Sequence, residues 1–198
     1  MSEHETSDPF TLFGAWFAEA EAAEPRDPNA MTLATADARG RPSARVVLLK
    51  AWDERGFVFY TNLDSRKGRE LALNPRAALL FYWKSLSRQI RIEGETSLVD
   101  DGEADAYFAT RPRESQLAAW ASKQSAVMPE GRASFERALT EVTRRFEGKA
   151  VPRPPRWSGY RLVPAHFEFW REEPFRMHDR QVFTRQADGS WEVRYLYP

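Results

Sequence analysis

Two basic side chains stand at the start of a predicted helix, where they are suited to binding an anion. Asp64-Ser65 provides a helix-starting signal, and Arg66 and Lys67 follow in the first turn. The helix macrodipole is already positive at this end, so two cations there are unfavourable unless an anion binds the free N–H groups. The pattern therefore predicts a phosphate site, with a solvated helix start as the alternative.

A second polar set has the spacing i, i+4, i+8 and consists of Tyr107, Arg111 and Ser115. On one continuous helix these side chains would form a stripe. Pro112 instead favours a new helix, which would place Ser115 near a positive helix N-terminus with Tyr107 and Arg111 close to it. Either arrangement combines a phenol, a guanidinium and a hydroxyl, a set that suits a phosphate group.

Arg45 and Lys50 bracket the apolar segment Val46-Val-Leu-Leu49, which is predicted to be a strand. On a regular strand positions 45 and 50 face opposite sides, so the two cations are expected to serve different ligands or different parts of one ligand, unless a bulge intervenes. Solvated cations at the two ends of the strand are the alternative.

Arg176, His178 and Arg180 alternate along the segment 175–180. If this segment is extended, all three project from one face, while Asp179 points away and does not neutralise them. Such crowding of cationic groups destabilises a strand unless a polyanion lies opposite. The alternative is an edge strand that faces solvent.

The composition excludes several classes of function. Acidic and basic residues balance at 29 each, which argues against the diffuse basic field of nucleic-acid-binding proteins. The absence of cysteine removes disulfides, thiolate metal sites and cysteine nucleophiles. No G-x-S-x-G, H-E-x-x-H or paired-carboxylate motif is present, so no metal site is predicted. With so few ordinary catalytic groups, a cofactor is expected to carry any reaction.

The elements that must position these residues are short strands near both ends of the chain and helices in its middle. Helices are predicted over 9–23, 65–74, 101–109, 114–121 and 130–146, and strands over 31–36, 44–52, 57–61, 77–83, 89–99, 160–170, 181–185 and 191–196. This order predicts an α+β fold of mainly antiparallel strands, as a barrel or sandwich with flanking helices. One domain over residues 1–198 is expected, with residues 1–7 as a disordered tail. No signal peptide or membrane span is predicted, so a cytoplasmic location is expected.

Taken together, these segments resemble the pyridoxamine/pyridoxine 5′-phosphate oxidase family. Eight motifs stand in the family's order: Arg45–Lys50, Phe57–Asn62, Ser65–Lys67, Arg88-Gln89, Tyr107–Gln116, Ala119–Ser125, Glu168–Trp170 and Arg176–Arg180. The resemblance extends from about residue 8 to residue 198. It implies an FMN-binding split β-barrel and a homodimer that holds two FMN molecules between its subunits.

Matched position by position, the resemblance also implies the residues of the site. The expected FMN contacts are Arg45, Val46, Val47, Leu48, Leu49, Lys50, Tyr60, Thr61, Arg66, Lys67, Gln89, Gln124, Ser125, Trp170 and Arg180. The expected substrate contacts are Lys50, Tyr107, Arg111, Ser115, Arg176 and His178. Arg176 is expected to orient the reacting substituent, with His178 assisting, and neither need be an obligatory general base.

The implied reaction is the oxidation of pyridoxamine or pyridoxine 5′-phosphate to pyridoxal 5′-phosphate. Hydride-like transfer from the substrate C4′ carbon to flavin N5 is followed by reoxidation with O2, which yields hydrogen peroxide. Two departures from the family are visible. Residues 2–7 lack the basic character of the family's substrate-covering segment, so no lid is expected, and Tyr195 stands where the family usually has Arg.

Two other functions stay open at this point. One is a split-barrel flavin or deazaflavin reductase that acts on another substrate. The other is a binding protein for pyridoxal phosphate or FMN without catalysis. The complete set of Tyr107, Arg111, Ser115, Arg176 and His178 favours the oxidase, because the resemblance assigns those positions to its substrate.

Overall fold

The computed structural model describes residues 7–198 and contains nine strands in one antiparallel sheet, flanked by five α-helices. The tail expected over residues 1–7 lies outside the described residues except for Ser7. The helices are α1 (Pro9–Ala23), α2 (Arg66–Leu73), α3 (Asp101–Thr110), α4 (Arg113–Ala121) and α5 (Arg132–Arg145). The strands are β1 (Ala30–Ala36), β2 (Pro42–Leu48), β3 (Ala51–Asp53), β4 (Gly56–Asn62), β5 (Arg76–Trp83), β6 (Arg88–Leu98), β7 (Trp157–Arg171), β8 (Asp179–Arg185) and β9 (Trp191–Tyr195). The predicted α+β class is confirmed.

Strand β7 organises the sheet because it pairs with three other strands. The order is β2-β1-β5-β6-β7-β4-β3, and β8 adds to β7 and carries β9. The first part of β7 pairs with β4 and the last part with β8, while β6 follows the opposite edge along almost its whole length. One long strand thus connects the part of the sheet that contains β4 with the part that contains β8.

A β-bulge between β6 and β7 depends on Gly94. The register shifts between Glu93 and Gly94, and a Cβ built on Gly94 would lie 2.0 Å from the carbonyl oxygen of Val163. Only glycine permits this close approach of two backbones.

Helix α1 closes one end of the hydrophobic core. Asp8 caps it by accepting hydrogen bonds from the N–H groups of Phe10 (3.3 Å) and Thr11 (2.9 Å). Phe13 is fully buried, and its ring lies 4.8 Å from that of Phe57 and 5.5 Å from that of Phe81 in edge-to-face geometry. The helix is therefore anchored by aromatic packing against β4 and β5. Of the helices within residues 7–198, none combines the length and hydrophobicity that a bilayer crossing requires.

The strand predicted over 44–52 is interrupted, and the interruption sets the position of Lys50. Strand β2 ends at Leu48, and the chain then leaves β1 and turns towards β4. The N–H of Leu49 donates to Asn29 (2.8 Å), whereas that of Lys50 donates to Val58 (2.9 Å). Two consecutive N–H groups thus bond to different parts of the sheet, and the run of apolar residues in the sequence gives no sign of this change.

Residues 174–178 are not extended, so the condition under which Arg176, His178 and Arg180 would share one strand face is not met. Pro174–Arg176 forms a 3₁₀ turn in which Phe175 (φ 59°) and Arg176 (φ 62°) both have left-handed backbones, and β8 begins only at Asp179. Arg176, His178 and Arg180 therefore do not share one strand face. Non-glycine residues with positive φ are uncommon and tend to occur at functional sites.

We predict that Phe13→Ala lowers the free energy of unfolding by about 3 to 5 kcal/mol, because it leaves a cavity among packed rings. Urea denaturation followed by circular dichroism measures the change. Val127→Ala is the control, since Val127 is 91% exposed, and it should change the stability by less than about 0.5 kcal/mol. Equal effects of the two substitutions would contradict this description of the core.

Candidate active site

A cavity of 610 Å³ lies between strands β2 and β4 on one side and helices α3 and α4 on the other. It brings together eleven of the residues predicted from the sequence: Val46, Val47, Leu48, Lys50, Tyr60, Thr61, Lys67, Tyr107, Arg111, Ser115 and Gln124. Asn62, Thr110, Pro112, Ala118, Ala119, Ser122 and Trp157 complete the lining. Residues far apart in the sequence thus meet around one space.

Lys67 provides a buried cation in this cavity. Helix α2 begins after Ser65, whose hydroxyl accepts a hydrogen bond from the N–H of Gly68 (3.2 Å). Lys67 is 8% exposed, and its Nζ donates to Thr61 Oγ1 (3.2 Å) and Gln124 Oε1 (3.4 Å). Burial, and secondarily the charge of Arg45, lower the pKa of Lys67. Lys67 forms no ion pair with any residue in 7–198. A bound anion would therefore neutralise its buried charge.

Arg111 provides a second cation with no carboxylate partner in the described part of the chain. It follows α3, and its guanidinium lies over the rings of Trp157 (4.9 Å) and Phe108 (5.5 Å). Its Nη1 is buried without a hydrogen-bond partner, and burial lowers the pKa of Arg111. Pro112 precedes α4, as predicted, so that Ser115 lies in the first turn of that helix. These donors match the requirements of a phosphate group.

Three nearly parallel aromatic rings form one wall of the cavity. The ring of Tyr60 lies 4.0 Å from that of Tyr107 and 5.1 Å from that of Trp157, with interplanar angles of 14° and 8°. Burial, with smaller contributions from Glu103 and Tyr107, raises the pKa of Tyr60 to about 12. The Tyr60 phenol therefore stays neutral near pH 7 and adds no negative charge to the site. Trp157 is a site residue that the sequence analysis missed.

Arg45 and Arg66 are not part of the cavity lining within residues 7–198. Both instead contact the carboxylate of Glu70: Arg66 Nε lies 2.8 Å from Oε1, and Arg45 Nη2 lies 3.3 Å from Oε2. Glu70 was not predicted, although its i, i+4 spacing from Arg66 was a usable signal. Two other expected FMN contacts also lie outside the lining: Leu49 is buried, and Ser125 is exposed with φ 70° beside Gln124.

A second group of predicted FMN contacts lies in one row across the sheet and consists of Gln89, Trp170 and Arg180. Gln89 on β6 pairs with Trp170 on β7, which pairs with Arg180 on β8, so all three side chains share a face. Arg180 Nε donates to Glu168 Oε1 (2.8 Å), and Arg180 Nη1 donates to the carbonyl of Tyr197 (3.0 Å). None of the three is among the described residues that line the cavity.

His178 is held beside this row with a defined hydrogen-bonding direction. Its ring lies 4.8 Å from that of Trp170, and its Nδ1 accepts a hydrogen bond from the N–H of Glu173 (3.2 Å). With Nδ1 accepting, the neutral ring carries its proton on Nε2, so that Nε2 is a donor. Arg176 is exposed on the adjacent turn.

Two family models match the chain. The model described as pyridoxamine 5′-phosphate oxidase matches residues 17–146, and the pyridoxine 5′-phosphate oxidase C-terminal dimerisation region matches residues 157–198. Proteins named pyridoxine/pyridoxamine 5′-phosphate oxidase from Sphingopyxis alaskensis and Nitrobacter hamburgensis are 59% and 57% identical to this chain. Those matches cover 100% and 98% of this chain and 91% of each relative.

Solved structures share the fold. PhzG from Burkholderia lata 383, in complex with tetrahydrophenazine-1-carboxylic acid, superposes with a TM-score of 0.91 at 36% identity, over 98% of this chain and 94% of PhzG. A pyridoxamine 5′-phosphate oxidase-related, FMN-binding protein from Nostoc punctiforme gives a TM-score of 0.75 at 18% identity, over 98% of this chain and 100% of that protein. The predicted split barrel is confirmed.

We predict that Lys67→Met stabilises the ligand-free protein at pH 7 by on the order of 1 kcal/mol, because it removes a desolvated charge. The pKa of Lys67 is lowered from 10.5 in the folded state, so the unfolded chain binds more protons between the two pKa values. The free energy of unfolding of the unsubstituted protein therefore rises with pH in that interval, and the advantage of Lys67→Met should shrink towards pH 10.5.

Thermal unfolding with and without inorganic phosphate measures both effects. Phosphate should raise the melting temperature of the unsubstituted protein more than that of Lys67→Met. A variant that is less stable at pH 7 and responds normally to phosphate would contradict the assignment of Lys67 as a buried cation without a partner.

Proposed function

The chain belongs to the pyridoxamine/pyridoxine 5′-phosphate oxidase family of FMN-dependent oxidoreductases, and we propose that it oxidises pyridoxamine 5′-phosphate, pyridoxine 5′-phosphate or both to pyridoxal 5′-phosphate with O2. The observation that carries the proposal is the presence in one cavity of two cations without carboxylate partners in residues 7–198, the buried Lys67 and the half-buried Arg111. Two phosphorylated ligands, a flavin nucleotide and a B6 vitamer, would supply the two anions.

The residues around Lys67 fit the phosphate end of FMN. The Lys67 ammonium is buried and bonded only to neutral acceptors in the described part of the chain, next to the positive N-terminus of α2. Thr61 and Gln124 orient it, and Arg66 stands exposed at the same helix start. When bound, FMN supplies the two-electron acceptor for oxidation at the substrate C4′ carbon, and O2 then takes up the electrons as hydrogen peroxide.

Lys50, Tyr107, Arg111 and Ser115 would bind the phosphate of the substrate. Arg111 is oriented by its contact with the Trp157 ring, and a rigid guanidinium binds phosphate through two parallel hydrogen bonds. The stacked rings of Tyr60 and Trp157 exclude water from one side of the cavity. Exclusion of water strengthens each charge–phosphate interaction, because the local dielectric constant is lower.

We propose that the row of Gln89, Trp170 and Arg180, with Arg176 and His178, completes the site of a second copy of the chain. This group and the cavity belong to different parts of the subunit, and all its members except Gln89 lie within the region that matches the family's dimerisation model. A two-fold symmetric dimer would present each group to the partner's cavity and so form two equivalent sites. FMN would then lie between subunits.

Arg176 and His178 would orient the reacting end of the substrate. Arg176 is exposed on a left-handed turn, a strained conformation that tends to occur at active sites and ligand-binding sites. His178 holds its proton at Nε2 and donates it in a hydrogen bond, because the backbone of Glu173 occupies Nδ1. On this account His178 positions the substrate and is not an obligatory base.

The purified protein should be yellow and should consume O2 when pyridoxamine 5′-phosphate or pyridoxine 5′-phosphate is added. An oxygen electrode, a peroxide assay and the absorbance of pyridoxal 5′-phosphate follow the reaction. Binding without turnover would favour a carrier, and turnover of a reduced phenazine carboxylate alone would favour a PhzG-like activity.

Arg176→Ala should lower kcat with FMN still bound, whereas Arg66→Ala should weaken FMN binding by about 1.5 to 3 kcal/mol. Loss of substrate binding without loss of FMN in Arg66→Ala would contradict this division.

Mixed dimers test whether the site is shared between subunits. Arg111→Gln and Arg176→Ala should each inactivate both sites of a homodimer. When the two variants are co-expressed, half of the dimers should be mixed and each should contain one intact site, so about a quarter of the unsubstituted activity should return. If both residues served the same subunit's site, the mixture would stay as inactive as its components.

A further inference from the structure

A buried carboxylate, Glu70, joins three elements beneath the start of helix α2. Glu70 lies one turn after Arg66 and is 5% exposed. Its Oε1 accepts a hydrogen bond from Arg66 Nε (2.8 Å). Its Oε2 accepts from Thr35 Oγ1 (2.5 Å) and Ser43 Oγ (2.6 Å) and lies 3.3 Å from Arg45 Nη2. One side chain thus connects β1, β2 and α2.

Arg45 is held in this network by further acceptors. Its Nη1 donates to the carbonyl of Leu33 (3.1 Å) and to Thr35 Oγ1 (2.6 Å), and its Nη2 donates to Ser43 Oγ (2.5 Å). Thr35 and Ser43 therefore contact both the Arg45 guanidinium and the Glu70 carboxylate. The orientation of Arg45 depends on the position of Glu70.

A structural role by itself does not account for a charged residue here. A buried ion pair usually contributes no more stability than apolar side chains of similar volume, because desolvation costs about as much as the attraction returns. Glu70 also places a negative charge within the first two turns of α2, in a part of the structure that contains more cations than it neutralises. Arg45, Arg66 and Lys67 carry three positive charges, and Glu70 carries one negative charge. The excess of two positive charges matches a phosphate monoester, whose charge near pH 7 is about −1.5 to −2.

Glu70 is ionised near neutral pH. Burial raises its pKa, but hydrogen bonds from Ser43, Thr35 and Arg66 outweigh that effect and lower the pKa to about 2. Arg66, whose side chain is 61% exposed, is held by this ion pair before any ligand binds. A long, exposed arginine otherwise loses rotamer entropy when a ligand immobilises it.

We propose that Glu70 is a positioning residue that orients Arg45 and Arg66 for the phosphate of FMN. The proposal rests on the function proposed above and on the family resemblance, which implies that both arginines contact FMN. Glu70 does not touch the ligand on this account. It fixes the directions of the two arginines and, with Lys67 counted as the third cation, reduces the net charge of the cluster to two positive charges, close in magnitude to the charge of the phosphate.

Glu70→Gln tests the proposal through the affinities of two flavins. Glutamine keeps the shape but removes the charge, so Arg45 and Arg66 should lose their common anchor. The dissociation constant of FMN should rise about tenfold, while that of riboflavin, which lacks the phosphate, should change less than twofold. Both are measured by quenching of flavin fluorescence with full-length protein from which FMN has been removed and whose reconstitution has been verified.

Glu95→Gln is the matched control. Glu95 is an exposed glutamate that pairs with Arg76 at 3.9 Å, away from the cavity, and its substitution should change neither affinity. Equal loss of FMN and riboflavin in Glu70→Gln would show a structural role and overturn the proposal. Unchanged or tighter FMN binding would also overturn it, because the carboxylate would then only repel the phosphate.

Ser43→Ala keeps the proposal falsifiable if Glu70→Gln does not fold. Ser43 lies between Glu70 and Arg45, and removal of its hydroxyl leaves the carboxylate in place. We expect about a threefold loss of FMN affinity with riboflavin unaffected, and no change in either would overturn the proposal. Turnover of the B6 phosphates by the unsubstituted protein decides the proposed function separately, since the two flavin affinities do not depend on which substrate is oxidised.

Discussion

The candidate site depends on positive charge, buried at Lys67 and half-buried at Arg111, that the described chain does not neutralise. Lys67 and Arg111 face one cavity without carboxylate partners in residues 7–198, and the desolvation of each must be offset elsewhere. The aromatic packing of the core around Phe13 and Phe57 and the antiparallel pairing of nine strands supply the stability that permits such a site. A cation without a carboxylate partner is suited to binding an anion, and this agrees with a family whose cofactor is a flavin nucleotide.

Strand β7 connects the two groups of predicted site residues. Its first residue, Trp157, contacts Arg111 in the cavity, and near its other end Trp170 stands in the row with Gln89 and Arg180. The strand has 15 residues, and none of the row's residues is among the described residues that line the cavity. In the proposed two-fold dimer, a second copy of the chain would present this row to the cavity.

Signals in the sequence, such as capping residues and prolines, predicted most of the helices and strands correctly. Asp8 and Pro9 start α1 as predicted, Ser65 caps α2, and Pro112 separates α3 from α4. These signals act between residues close in the sequence, so the chain itself displays them. The interruption of the predicted strand at Lys50 and the left-handed turn at Phe175 were not visible, because backbone hydrogen bonds to distant strands and tertiary contacts decide them.

The amino-acid sequence alone determined the residue types of the site, their order and the resemblance to a flavoprotein family. The reason is that the spacing of motifs can be read without knowing which residues are in contact. Only the tertiary structure decided which of those residues meet. It brought Lys50, Lys67 and Arg111 to one cavity, turned Arg45 and Arg66 towards Glu70, and placed Trp170 and Arg180 on another part of the sheet. The reason is physical: long-range strand pairing and the burial of a carboxylate between β1, β2 and α2 depend on the whole folded chain, and no local pattern encodes them.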